Sequence, residues 1–564
     1  MTERVRRVEP TAEDQLVDVE DLGHRYQQLR YRAEPTWAHL IGEYSVAPLF
    51  EDVSEEAEDA VGAEAGRIAR AAASVARIPD GTAASLDAAV LAWDAATRSG
   101  LLECRFAELD VDPLFGPVAA LPGRVSKLSL PSAEVARALP EKYGAFARHL
   151  RDRVERLRAG RAAGRTPVAF AVHGTVDGVR DWLRTPVDDD PLLAVGALPR
   201  LVDRSALRQD LHAVIGEVVR PALNDYADAL AEQAAPSARP DERCGLCWLD
   251  DGERTYATLV RAHTTTDLTP EQIHEIGLAQ VAALAEEYAV LGREIFGVAD
   301  VATVLTRLRE DPALHFENGD DLVRAAEHAL ARATEGARGW FGRIPAATCS
   351  VETATSGSLG QYFRPTKDGS RGASFVVNVS DPRAWARYEV EALAYHEGVP
   401  GHHLQMALVA ELADLPEFRR TAAVTGYTEG WGLYAERLAD EMGLYSSALD
   451  RMGMLSFDSL RACRLVIDTG IHALGWSRDR AKRYLAGNSP LSPGHIDAEV
   501  DRYIVTPGQA LAYLVGRLEI VRIRAEATRR QGSRFDLARF HDAVLGAGPL
   551  PLTLLDAHAA AALP

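Results

Sequence analysis

The sequence predicts a mostly α-helical fold with a small β-sheet, on three observations. Apolar residues recur at three- and four-residue spacing through most of the 564 residues. The alanine-rich stretches carry this helical pattern with no repeat of solenoid length. A single run in the C-terminal half, residues 373–380 (Ala-Ser-Phe-Val-Val-Asn-Val-Ser), is β-branched and follows a turn-rich segment, as a strand does.

In chain order, residues 12–35, 54–77, 83–98 and 132–160 read as an N-terminal set of helices, broken at turns such as Pro79-Asp80-Gly81. The polar, proline-containing stretch 234–240 reads as a seam between an N-terminal helical lobe, 1–240, and a C-terminal lobe, 241–564, or else as a surface loop. Beyond it, Thr269 precedes Pro270 and Glu271, supplying an N-cap, a proline at the first helical position and a negative charge at the dipole's positive end. That helix is expected to run to Gly297, with Ile273, Ile276, Leu284, Tyr288, Leu291 and Ile295 as its buried stripe. The strand at 373–380 lies just before the histidine-rich segment treated next. There it would be either an edge strand that pairs with an extended substrate or part of a small core hairpin.

Composition narrows the partners. The chain carries 82 acidic against 62 basic residues, a net charge of −20, so its average surface repels phosphate backbones and anionic lipid. Neither nucleic acid nor membrane is expected as a partner. The first residues lack the apolar run of a secretory signal, and no stretch approaches ~18 uncharged apolar residues, so the expected place is the cytoplasm. Five cysteines, few and odd in number, fit a reducing compartment better than a disulfide framework.

Chemistry concentrates at His396-Glu397-Gly-Val-Pro-Gly-His402-His403. A regular zinc helix spaces two histidines four residues apart, with the intervening glutamate as general base. Here the fourth position is Pro400. On an ideal helix, His402 would lie ~240° around from His396, and His403 on the same face but roughly 10.5 Å along the axis, too far to share one ion. Pro400-Gly401 supplies a bend, and a two-residue bulge would bring His402 to the ligand position. His402 is therefore the first choice as second ligand and His403 the second. The alternative is a polar helix end whose histidines are merely hydrogen-bonded.

Downstream, Glu429 in Thr428-Glu429-Gly430-Trp431-Gly432 is placed to supply a third ligand, and Gly426, Gly430 and Gly432 would let its helix approach another backbone closely. Glu436, seven residues on and on the same face, reads as a carboxylate that orients a histidine or an arginine. Thr506-Pro507-Gly508-Gln509 reads as the capped start of another helix. On it, Gln509, Tyr513 and Arg517 form a polar stripe in which Tyr513 could donate to an oxyanion. Arg461, Arg464, Asp468 and His472 share a face and read as a buried ion network. An arginine among them that reached a cleft would suit a substrate carboxylate. Cys244-Gly-Leu-Cys247 has no second pair and reads as structural, as do the isolated His263, His274, His495 and His541.

With these residues in view the chain resembles the bacterial family of domain of unknown function 885, grouped with the HExxH-type metallopeptidases. The resemblance runs over Gly245-Leu, residues 263–270 and 395–405, Glu429-Gly-Trp431, Thr469-Gly-Ile-His472, residues 507–513 and Phe540-His-Asp542. It implies a fold similar to the carboxypeptidase Taq and thimet oligopeptidase groups: a large, two-lobed helical zinc-peptidase-like fold with a deep cleft and little sheet. The expectation is then one zinc ion held by His396, His402 and Glu429, with Glu397 as general base and Tyr513 as oxyanion donor. His403 or His472 would support the ligands or touch substrate. The reaction expected is hydrolysis of a peptide or related amide bond in a short substrate. The alternatives are a metal-dependent amide or ester hydrolase of a small metabolite, or an inactive helical binding protein. Oligomeric state has no signature in the sequence.

Overall fold

The structure, a computed structural model, describes residues 18–76, 83–200, 202–355 and 359–564. Residues 12–17 of the first expected helix and the Pro79-Asp80-Gly81 turn lie outside the described residues. The fold is mostly helical with one three-stranded sheet. No described helix is long and apolar enough to cross a membrane.

Local chemistry sets the helix ends. Val19–Ala33 starts at Asp18, whose carboxylate accepts the Glu20 N–H, while Glu55–Ala76 and Ala83–Glu103 pack along one another. The single helix expected at 132–160 is two, Ala133–Arg137 and Leu139–Ala162. Pro140, which has no N–H to give, sits in the first turn of the second. Pro270–Phe296 begins with a full capping box between Thr269 and Gln272 and ends at a left-handed Gly297. It packs on the long helix Ala448–His472, in which every residue from Met452 to His472 is buried.

The apolar side chains gather in several clusters. One, built around Phe50, Phe146, Leu150, Val172 and Leu223, draws on residues 47–234. The two that surround the histidine motif draw mainly on residues after 240. Packing nevertheless crosses the seam, since Phe418 joins Leu22, Tyr26, Ile68 and Leu91, and the buried Arg30 donates to the Thr421 carbonyl at 2.9 Å. Between them the stretch 234–240 holds a short 3-10 turn, Ala235–Ser237, and Arg239 ties it down by donating to the carbonyls of Thr166 and Cys244.

The sheet consists of β1 (Cys349–Ala354), β2 (Gly360–Phe363) and β3 (Ala373–Asn378) in the order β1-β3-β2. β1 runs parallel and β2 antiparallel to β3, with Phe375 opposite both Val351 and Tyr362. The strand legible in the sequence is thus the central one, buried along its whole length. Both of its edges are occupied, so it cannot receive a substrate strand.

Helix Thr425–Glu441 crosses Ala512–Gln531 backbone to backbone. A Cβ on Gly430 would stand 2.5 Å from the Gly516 Cα, and one on Gly516 would overlap the Gly426 carbonyl oxygen. Only bare backbones fit there. Gly516→Ala should therefore destabilise the fold by roughly 1–3 kcal/mol or more, the cost of a forced shift in a packed core, and lower the melting temperature clearly. Gly178→Ala, in helix Ala169–Arg184 with open space around it, should leave it unchanged or raise it. Equal melting of Gly516→Ala and the parent would disprove the crossing.

Candidate metal centre

The histidine motif is not a bulged helix but two helices. Val390–Glu397 makes its last turn with the Gly398 N–H on the Ala394 carbonyl at 2.8 Å. A fresh helix, His402–Glu411, starts four residues later, with the His403 N–H on the Gly398 carbonyl at 3.0 Å. Pro400 has no N–H to continue the ladder, and any Cβ on Gly401 would overlap the His396 carbonyl oxygen, so the chain turns sharply over its own helix end. The turn sets the His402 ring edge-on to His396, at 4.6 Å between centroids.

Helix Thr425–Glu441 receives this turn. The Trp431 indole N–H donates to the Pro400 carbonyl at 2.9 Å. The His396 imidazole lies on the backbone at Gly432, where a Cβ would stand 2.5 Å from its Cε1. Its Nδ1–H donates to Glu436 Oε1 at 2.8 Å, and Glu436, wholly buried, also faces the Arg461 guanidinium at 3.4 Å. That bond fixes the tautomer and leaves Nε2 to point at Glu429.

Three donor atoms converge. Glu429 Oε2 lies 3.6 Å from His396 Nε2 and 3.4 Å from His402 Nε2, and one donor atom from each residue falls within 4.8 Å of the other two. Ligands bonded at ~2.0–2.1 Å to a tetrahedral ion stand roughly 3.3 Å apart, so two imidazoles and a carboxylate at these separations fit a zinc-type divalent ion. The histidines are the closed side of the cluster and Glu429, 19% exposed, the open one. Burial works against a charge on His396, yet its hydrogen bonds to Glu429 and Glu436 outweigh that and raise its pKa to about 9. Burial likewise disfavours the Glu429 carboxylate, and the two histidines outweigh it, holding its pKa well below the usual range.

Glu397 follows His396 on the same helix and is buried. Its carboxylate makes no hydrogen bond or ion pair to any described side chain, and its charge acts on His396 and, toward the sheet, on Cys349 and Tyr362. Tyr513 is half-buried, its ring parallel to His396 at 6.4 Å with an interplanar angle of 19°. Burial and the nearby Glu429 push its hydroxyl's pKa up, against the opposing pull of Arg464 and Arg502.

Other expected residues fall elsewhere. His403 faces the sheet: its Nε2–H donates to the Ala347 carbonyl at 3.0 Å, and its Nδ1 accepts from the Tyr362 hydroxyl at 3.2 Å. Neither nitrogen is left for the cluster. His472 is fully buried against Tyr256, accepting the Leu246 N–H and donating to the Tyr503 carbonyl, so it can touch neither ligand nor substrate. The four-residue face it was assigned to is not one network. Arg461 pairs with Glu436 and Arg464 with Glu499, while Asp468 accepts from the Tyr256 hydroxyl and the Gly508 N–H. Thr506 closes the helix Pro493–Val505, its hydroxyl on the Arg502 carbonyl, and the following helix starts from a left-handed Gly508. Sequence reasoning missed Tyr362 and the Trp431–Pro400 bond, for which only the proximity of Trp431 to Glu429 was a signal.

Comparison with known proteins gives the family and the fold. Residues 35–558 match the profile of a family described as bacterial protein of unknown function (DUF885). The crystal structure of a candidate lipoprotein from Colwellia psychrerythraea is similar, at 25% identity and a TM-score of 0.87 over 97% of this chain and 98% of that one. So is a candidate lipoprotein of unknown function from Shewanella oneidensis, at 16% identity and 0.70 over 96% and 99%. No curated protein matches the chain. With its family profile spanning nearly the whole sequence, the chain belongs to the bacterial family of unknown function DUF885.

Proposed function

We propose that the protein is a zinc-dependent hydrolase that cleaves a peptide or related amide bond in a short substrate. The observation that carries this reading is the convergence of His396, His402 and Glu429 beside an unengaged Glu397. We further read the helices as two lobes with a cleft that holds the metal centre; the separation of the apolar cluster of residues 47–234 from those drawn mainly after residue 240 supports the two lobes. The proposed compartment is less constrained. Five cysteines, none of them in a disulfide, favour a reducing compartment such as the cytoplasm, while the similar structure from Colwellia psychrerythraea carries a lipoprotein description, which favours an extracytoplasmic site. Cell fractionation decides between them.

A divalent ion at this site supplies a Lewis acid that acidifies water and polarises an amide carbonyl. The protein's own groups do the rest. Glu436 holds the His396 ring in one tautomer and one orientation. The Glu397 carboxylate accepts a proton from the attacking water and returns it to the leaving amine. The Tyr513 hydroxyl, kept protonated by its surroundings, donates to the oxyanion that develops on the scissile carbonyl.

Elemental analysis tests the ligand set. About one zinc per chain is expected in the parent and in His403→Ala, and none in His396→Ala, His402→Ala or Glu429→Ala. Glu436→Gln should retain the site but weaken zinc binding by roughly 10- to 100-fold, the usual cost of losing a ligand's orienting partner. Full metal in all three ligand variants would end the proposal.

Glu397→Gln should keep its zinc and its melting temperature while turnover of any cleaved peptide falls by about 10² or more. An active variant would need another base. Tyr513→Phe removes one hydroxyl and little volume. If that hydroxyl serves the oxyanion, kcat should fall by roughly 10² to 10³ with KM nearly unchanged. Unchanged kcat with a lowered melting temperature would make Tyr513 a packing residue only.

A further inference from the structure

The face of helix Ala448–His472 nearest the metal centre carries two buried arginines with N–H donors that the proposed chemistry does not use. Arg461 and Arg464 lie one turn apart and both stack on Tyr513, with guanidinium carbons 5.9 and 4.5 Å from its ring centroid. Tyr513 in turn stacks on His396, so this ring stands between the arginines and the metal cluster. Both arginine side chains are more than nine-tenths buried. Yet Arg461 Nε and Nη1 and Arg464 Nη1 have no hydrogen-bond acceptor among the described residues.

Nearby carboxylates pair with these arginines but leave those donors unmet. Glu436 faces Arg461 at 3.4 Å through Oε1, the oxygen that accepts from His396, while its Oε2 meets no donor among the described residues. Glu499 is shared by Arg464 and Arg502, and Asp458 is matched by Arg437 and Arg517. Buried guanidinium groups with unmet donors are unfavourable until an acceptor arrives, and the acceptor that fits their planar fork is a carboxylate.

We propose that Arg461 and Arg464 bind the free C-terminal carboxylate of a short peptide, making the protein a peptidase that acts near the C-terminal end. This rests on the peptidase reading and names its end preference. The two stacking steps from Arg464 to His396, 4.5 and 6.4 Å, span one to three residues at about 3.5 Å each. The scissile amide would therefore lie within three residues of the chain end. Arg461 and Arg464 act here as binding residues that hold the substrate's end and take no part in proton transfer.

The probes are N-acetyl-tetra-alanine and the same peptide with its C-terminus amidated. Calorimetric binding to the full-length, zinc-loaded Glu397→Gln protein, which holds substrate without turning it over, should favour the free acid by about tenfold or more. Arg464→Gln and Arg461→Lys, each in that background, should remove most of the preference and leave amide binding unchanged. Equal binding of acid and amide, or no binding of either, overturns the proposal without recourse to any arginine variant, so a misfolded variant cannot protect it. Zinc content and cleavage by the wild-type preparation report separately on the peptidase reading. A metal-loaded enzyme that cleaves both peptides equally keeps that reading and rejects this one.

Discussion

Everything at the candidate site depends on one contact, the His396 imidazole lying on the bare backbone at Gly432. Because nothing projects from that position, the ring can sink between two carboxylates of the same helix, with Glu436 at Nδ1 and Glu429 at Nε2. The Trp431 bond to the Pro400 carbonyl then fixes where the chain turns, and the turn decides where His402 lands. The same helix is held by its crossing at Gly430 and Gly516, which also fixes the start of the helix bearing Tyr513. Four glycines at backbone contacts, Gly401, Gly430, Gly432 and Gly516, thus set the relative positions of two ligand-bearing segments and a tyrosine.

The charges around this contact are costly to bury, and their arrangement shows what they are for. Removing ions from water costs several kcal/mol each unless they are paired and hydrogen-bonded, so buried pairs add little to stability compared with apolar packing. The long buried helix nonetheless contributes Asp458, Arg461, Arg464, Asp468 and His472 to the interior. Asp468 and His472 join backbone segments, Asp468 through Gly508 and His472 through Leu246 and Tyr503, and so lock neighbouring helices. Arg461 and Glu436 instead run toward His396. The first pair explains a fold that closes around a polar helix. The second explains why that helix faces the metal centre.

What was legible in the sequence divides along the range of the interactions. Local chemistry read well. The Thr269 capping box, the proline that starts Pro270–Phe296 and its terminal glycine lie where composition puts them, because caps depend on residues a few positions apart. The gathering of His396, His402 and Glu429 is the exception in range, since Glu429 sits on a later helix and is reached through the ligand pattern of zinc sites, not through local chemistry. Long-range choices did not read. The strand at 373–380 turned out central, between two strands the sequence does not announce: β1 is as long but half exposed and mixed in character, and β2 has only four residues. Thr506 followed by Pro507 looks like a helix start, but its hydroxyl serves the helix behind it. His472 shares a helical face with the arginines, yet its buried nitrogens had nearer backbone partners, which side-chain spacing alone does not reveal.

The broken motif shows how ligand identity is decided when the donor helix is irregular. From the donor side, Pro400 removes the register that would distinguish His402 from His403. The receiving helix restores it. Glu429, Gly432 and Glu436 stand at i, i+3 and i+7, so the two acids' Cα atoms lie about two turns apart, roughly 10.5 Å along the axis, with a gap at the glycine between them. An imidazole fills that gap with one nitrogen toward each acid. The upper acid, Glu429, has its other side open to a second imidazole, which only a ring close to His396 can reach. His402 meets that condition at 4.6 Å, whereas His403, one residue on and about 100° further round its helix, is turned to Tyr362 and the sheet. A glycine between two acids spaced seven apart is therefore the more informative half of this site, because it states the shape of the slot that the histidines must fill.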